Sequence, residues 1–193
     1  MPPSVILAST SRYRAELLKR LQLDFQQIAP NCDETPLQGE SAADLVVRLS
    51  VGKAQSVAKQ FPEHLIIGSD QVASCNGAII GKPGDHAAAV AQLQLLSGQT
   101  VSFLTGLCVM QQQSQKAFQS LVPTDVRFKK LDTAQIERYL KADQPYDCAA
   151  SFRSEGYGCT IVENIASDDP AAIIGLPVIR VAEFLKDLGL QLP

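Results

Sequence analysis

Asp70 and Gln71 stand where an apolar run, Leu65-Ile66-Ile67, gives way through Gly68-Ser69 to polar chain. Such a run fits a buried strand, so the pattern predicts one carboxylate and one amide at a strand end. In an open α/β sheet that is where ligands collect. A lone aspartate there could equally terminate the strand or cap a turn. Other short clusters add the groups that handle phosphates. Ser9-Thr10-Ser11 is followed by Arg12 and Arg14, and Lys82 sits on a Gly81-Lys82-Pro83 corner. Asp33-Glu34 supplies two adjacent acids, ordinary loop polarity or oxygen ligands for a divalent cation such as magnesium or manganese. The corner is no Walker loop, because Gly77 and Gly81 enclose three residues rather than four and proline follows the lysine.

The elements that position these groups read as follows. Ser4 to Ala8 predicts a first strand, the hydroxyl turn a helix N-cap, and Tyr13 to Leu23 a helix with Leu17, Leu18 and Leu21 on one stripe. A strand, a hydroxyl turn and a helix N-terminus make an anion cradle, although a capped surface helix with solvated arginines fits the same residues. Phe25 to Ala29 predicts a second strand, and Ser41 to Phe61 a long helix that carries Lys53, by default a solvated helix residue. Val72 to Ile80 resembles a hairpin turning at Asn76-Gly77. Asp85 to Leu96 is a helix stopped by Ser97-Gly98, and Thr100 to Met110 with Lys116 to Phe128 forms a second hairpin. Helix Thr133 to Lys141, a loop from Ala149 to Gly158, strand Ile161 to Ile165 and helix Val178 to Leu188 complete the order. The expected architecture is a single α/β domain over 1–193, a mixed twisted sheet flanked by helices. Its cleft would lie between the first loop and the Asp70 strand end.

Composition narrows the class. With 193 residues, 46% hydrophobic and 19% charged, the chain can bury a sizeable core. A net charge of -3 argues against coating nucleic acid or an anionic membrane, so phosphate binding must be local. The five cysteines are scattered and lack a C-x-x-C pair, which disfavours a zinc site or a disulfide framework and predicts reduced thiols in core positions of a cytoplasmic protein. Neither a signal peptide nor a membrane-spanning run is expected.

Taken together, Leu7-Ala8-Ser9-Thr10-Ser11 with Arg14, Asp33-Glu34-Thr35-Pro36, Lys53-Ala54, Gly68-Ser69-Asp70-Gln71-Val72, Gly81-Lys82-Pro83, Ser97-Gly98, Glu155-Gly156-Tyr157-Gly158 and Gly175-Leu176-Pro177 resemble the Maf family of nucleoside triphosphate pyrophosphatases. The match runs in the family's order over nearly the whole chain. Gly-Ser-Asp-Gln and Ser-Phe-Arg-Ser-Glu-Gly resemble its YceF-like branch, which acts on 7-methyl-GTP. The branch for dTTP and UTP has Thr in place of Gln71 and Gln in place of Glu155. Arg12 departs from the family, which usually has proline there.

The resemblance implies hydrolysis between the α and β phosphorus atoms to a monophosphate and diphosphate, with a divalent metal and a carboxylate base, clearing a modified nucleotide before a polymerase uses it. It implies Asp70 as proton acceptor, Lys53 and Lys82 as catalytic cations, and Ser9, Ser11 and Arg14 on the phosphates. Glu34 and Asp70 would serve the metal, and Tyr13, Gln71 and Glu155 would select the base. A cationic 7-methylguanine ring favours an aromatic face and a facing carboxylate, while Tyr13 packed on its helix and Glu155 paired with Arg153 is the plainer reading. With only His64 and His86, neither near a motif, a histidine mechanism has little to draw on. The family also implies a homodimer. A regulator of septation that binds a nucleotide without turnover, or a pyrophosphatase for dTTP and UTP, are the alternatives.

Overall fold

A computed structural model describes residues 4–192. The strands are β1 (Val5–Ala8), β2 (Phe25–Ile28), β3 (Leu65–Cys75), β4 (Ala78–Ile80), β5 (Thr100–Gln111), β6 (Lys116–Phe128) and β7 (Val162–Ser167). The helices are α1 (Arg12–Lys19), α2 (Ala42–Ala58), α3 (His86–Leu96), α4 (Thr133–Asp143) and α5 (Val178–Asp187). The strands form one mixed sheet in the order β2-β1-β3-β5-β6-β7, with β4 paired to β3. Chain segments gather into two compact units, the first made of Met1–Gln71, Thr105–Val122 and Asp169–Pro193, the second of Val72–Leu104 and Pro123–Asp168. Strands β3, β5 and β6 contribute residues to both.

In the first unit β1 runs parallel to both neighbours, with Val5 opposite Phe25 on β2 and Leu65 on β3. Parallel strands need crossovers, and helices on both faces explain why Val5-Ile6-Leu7-Ala8 is apolar throughout rather than alternating. Val5, Leu7, Leu65 and Ile67 pack with Leu17 and Leu18 of α1 and Val181 and Leu185 of α5. Ile6, Ala8 and Ile66 point the other way, onto Ala54, Val57 and Ala58 of α2. Two glycines let α2 come close. A Cβ on Gly68 would lie 2.3 Å from the Ser50 carbonyl oxygen, and one on Gly106 2.4 Å from that of Val46.

The second unit is built from antiparallel pairs. Ala73 of β3 faces Ile80 of β4 across a turn in which Asn76 and Gly77 have φ of 51° and 81°, the mirror-image geometry suited to a hairpin. Thr124 of β6 faces Ser167 of β7. Helix α4 begins with a capping box between Asp132 and Gln135. Phe152 packs against Phe103 and Phe128 with centroids 5.7 and 5.5 Å away.

Most expected elements are present, and three expectations need correction. Helix α1 stops at Lys19, because i→i+3 bonds from Leu21 and Gln22 tighten its end and Gln22 turns left-handed at φ 53°. Strand β3 does not end at Gly68-Ser69, so Asp70 lies in mid-strand. Gly68 is a helix-packing site and the Ser69 hydroxyl is satisfied internally, so neither breaks the ladder. Of the cysteines only Cys75 and Cys108 are buried, whereas Cys32 and Cys148 are half-buried and Cys159 is exposed. Burial pushes the Cys108 thiol up to about 12, which makes it inert at neutral pH.

The close approach of α2 sets a stability test. Gly68→Ala must push backbone off backbone, which is expected to cost on the order of 1–3 kcal/mol, read as a lower urea midpoint at unchanged slope. An unchanged midpoint would show that α2 yields freely.

Candidate active site

Lys53 is the hub of the first unit's polar residues. It projects from α2 and is only 5% exposed, contrary to the default of a solvated lysine. Its Nζ lies 2.6 Å from Asp70 Oδ1 and 2.8 Å from Glu34 Oε1. Asp70 is itself 8% exposed, so the pair sits where charges must compensate each other. Asp70 Oδ2 has no hydrogen-bond partner among the described residues. The two neighbouring acids separate by role. Asp33 accepts the Thr35 amide at 2.9 Å, which holds its carboxyl below the usual range, while the exposed Glu34 reaches Lys53. Arg48 of α2 steadies this loop by donating twice to Glu40, at 2.6 and 2.8 Å, and to the Thr35 carbonyl at 3.1 Å. The paired guanidinium lowers the Glu40 carboxyl to about 2.

The hydroxyl turn after β1 folds as a cap. Ser11 accepts the Arg14 amide at 3.4 Å, and the Ser9 hydroxyl accepts the Ser11 amide at 3.1 Å. Arg14 comes off the first turn of α1 and donates through Nε to the Gly175 carbonyl at 2.8 Å and through a terminal nitrogen to Ser9 Oγ at 3.4 Å. Burial lowers the Arg14 guanidinium from its ordinary value, and the charges of Asp70 and Glu34 oppose that shift. Arginine nonetheless stays charged in proteins. Ser9, Arg14, Lys53, Asp70 and Glu34 therefore share one electrostatic neighbourhood.

Gln71 is tethered by its amide nitrogen, which donates to Thr105 Oγ1 at 3.0 Å and to the carbonyls of Ala172 and Ile173 at 2.8 and 3.1 Å. Its Oε1 has no partner among the described residues, so Gln71 offers an acceptor and nothing else. Tyr13 carries the Arg12 guanidinium, whose carbon lies 4.8 Å from the ring centroid and which also donates to the phenol oxygen at 2.9 Å. The position that departs from the family pattern thus occupies the ring expected to meet a base. Lys82 and Glu155 belong to the second unit, and both are exposed. The Glu155 carboxylate accepts the Ser154 hydroxyl at 2.8 Å. His86 rests against Tyr146 and Glu137, and His64 against Phe61.

The donor set fits a magnesium-type ion in part. No group of three or more metal-ligating side chains occurs among the described residues. Glu34 and Asp70 nevertheless converge on one point, the Lys53 ammonium, and two carboxylates completed by substrate phosphate oxygens are how such ions are commonly held.

Sequence reasoning missed three supporting groups. Gln27 of β2 donates to the Ser9 and Ser11 carbonyls at 3.0 and 3.1 Å and so fixes the turn. Ser69 donates to the Gly106 and Gly175 carbonyls at 2.8 and 3.0 Å. Thr105 donates to Ala172. A polar residue inside an apolar strand was the available signal for Ser69. Gln27 and Thr105 gave none.

Known proteins resemble this chain in fold and in sequence. A solved structure described as the Staphylococcus aureus Ham1 protein superposes with a TM-score of 0.57 over 96% of this chain and 99% of that one, at 12% identity, a likeness of fold alone. Curated proteins named 7-methyl-GTP pyrophosphatase are far nearer in sequence. One from a Polaromonas species is 48% identical over 97% of this chain and 86% of its own, and one from Bordetella avium 50% identical over 98% and 95%. A third, from Pseudomonas aeruginosa, is 44% identical over 99% of this chain and 100% of its own. The Maf-like protein family model matches residues 4–188, the span that carries every motif discussed above, and the chain belongs to the Maf family.

Proposed function

We propose that the protein hydrolyses 7-methyl-GTP to 7-methyl-GMP and diphosphate. The observation that carries this reading is Lys53 held between Asp70 and Glu34 beside the Ser9–Arg14 cradle, a cation-and-carboxylate set suited to a polyanion under attack by water. The near full-length relatives that bear that enzyme's name supply the substrate.

Attack of water on the α phosphorus breaks the bond to the oxygen bridging to the β phosphorus, and diphosphate leaves. Such a transition state is stabilised chiefly by positioning and positive charge. Arg14, Lys53 and Lys82 supply the charge, and Ser9, Ser11 and the positive end of α1 hold phosphate oxygens. Asp70 keeps Oδ1 on Lys53 and uses Oδ2 to take the proton from the attacking water. Glu34 with Asp70 would hold magnesium or manganese, whose charge would offset that developing on the phosphate oxygens.

Base choice falls to groups of fixed polarity. The acceptor of Gln71 suits the donor edge of a guanine, the Glu155 carboxylate suits a ring that methylation has made cationic, and Tyr13 already holds one planar cation on its face. The substrate would thus be read as a cation with donors. The reading places the enzyme in the cytoplasm, where the nucleotide pool lies, as a homodimer without nucleic-acid or membrane partners.

Diphosphate release from a panel of triphosphates, with and without magnesium or manganese, tests the reading. Product from 7-methyl-GTP above GTP, dTTP and UTP is expected, and no product from any of them would turn the site into a binding site only. Asp70→Asn, which keeps the volume and one acceptor for Lys53, is expected to stay folded and lower kcat by about 10²-fold or more. Wild-type kcat in that variant removes Asp70 from proton transfer. Glu155→Gln is expected to shrink the ratio of kcat/KM for 7-methyl-GTP over GTP by about tenfold, with plain GTP little changed. A constant ratio would mean that Glu155 does not read the base.

A further inference from the structure

Gln92, on the second turn of α3, makes two hydrogen bonds in opposite directions. Its Nε2 donates to the Gly81 carbonyl at 3.1 Å, and its Oε1 accepts the Ser151 hydroxyl at 2.7 Å. The first bond holds the corner that carries Lys82. The second holds the segment that leads into Glu155. The Gly81 carbonyl also accepts the Ala150 amide at 3.2 Å, so the two segments are joined directly as well as through Gln92. The joint is costly in backbone terms. Ala150 and Ser151 are both fully buried and both left-handed, with φ of 55° and 53°, a conformation that residues with a Cβ adopt rarely. Such backbone persists only where surrounding contacts over-determine it. Those contacts are present. The Tyr139 phenol donates to the Ser151 carbonyl at 3.1 Å and accepts the Arg153 amide at 3.0 Å, and the Gly84 amide donates to the Tyr146 carbonyl at 3.0 Å.

We propose that Gln92 is a positioning residue that couples phosphate binding to base selection, because one amide sets both the Lys82 corner and the approach to Glu155. This rests on the roles given to Lys82 and Glu155 above. A glutamine suits the task as no hydrophobic or carboxylate side chain does, since its amide presents a donor to one segment and an acceptor to the other. The left-handed backbone at Ala150 and Ser151 accompanies the bond from the Ser151 hydroxyl to that acceptor.

The test uses the full-length protein with 7-methyl-GTP and GTP as paired substrates, thermal melting, and amide hydrogen exchange. Gln92→Leu removes both bonds. It is expected to lower kcat/KM for 7-methyl-GTP by about tenfold at an unchanged folded fraction, because a displaced Lys82 weakens both phosphate binding and transition-state charge. The preference over GTP is expected to move toward unity, and exchange at Lys82, Gly84 and residues 152–156 to quicken. Gln92→Glu keeps an acceptor for Ser151 and loses the donor to Gly81, so both substrates should weaken by the same factor at constant preference. Ser151→Ala should do the reverse and lower the preference alone. Wild-type kcat/KM and preference in Gln92→Leu, or a fall that only tracks lost folded protein at constant preference, would overturn the coupling. Unchanged exchange in the two segments would overturn it independently of activity. A wild-type enzyme inactive on both substrates counts against the proposed reaction, and exchange still decides whether Gln92 holds the two segments.

Discussion

The ion pair between Lys53 and Asp70 is the constraint on which the first unit turns. Two opposite charges at 2.6 Å and largely removed from water compensate each other, and Glu34 adds a second acceptor for the ammonium. Loss of the lysine would leave Asp70 buried and uncompensated, which in such pairs typically costs on the order of 3–5 kcal/mol, whereas loss of the Asp70 charge leaves Lys53 with Glu34 as its partner. For a helix residue to meet a strand residue at that distance, α2 must lie unusually close to the sheet. The two glycines under Val46 and Ser50 make that approach possible. Packing and chemistry are therefore one requirement: the absence of two side chains on β3 and β5 puts an ammonium beside a carboxylate.

Around that pair the protein places polar groups inside strands and satisfies them with backbone carbonyls. Ser69 and Gln71 flank Asp70 along β3 and bond to the 172–175 segment, and Arg14 bonds to Gly175 as well. Each bond is modest by itself, but a buried hydroxyl or amide without one would cost more than the bond is worth. The result is a set of side chains whose spare atoms have fixed polarity. Gln71 can only accept, the Ser9 hydroxyl already accepts an amide, and Asp70 keeps one oxygen on Lys53. A site of that kind discriminates by leaving a wrong partner's atoms unpaired.

Much of this was legible in the chain, because caps, turns and apolar runs are local. Ser11 of the hydroxyl turn caps α1, Ser41 and Asp85 stand at the starts of the helices expected there, and the Asn76-Gly77 turn falls where the dipeptide placed it. Helix bounds were less legible, since a left-handed glutamine at position 22 carries no mark in the sequence. The burial of Lys53 was illegible for a different reason. A lysine in a helix looks solvated until the acid it meets, seventeen positions on, is known to be a neighbour. Gly68 was misread as a strand terminator because close approach by a helix and a break in a strand call for the same residue. The role of Asp33 was split from that of Glu34 only by which carboxylate had already closed a local turn.

The Gly175 carbonyl has a further consequence, one for the order of synthesis. That single oxygen accepts from Arg14, near the start of the chain, and from Ser69 in its middle, and it is presented by a left-handed glycine at φ 117°. A ribosome must therefore release residue 175 before the arginine of the first helix has its tether. The apolar faces of β1 and α1 also wait for Val181 and Leu185 of α5, so the turn after β1 stays unfinished until nearly the whole chain has emerged.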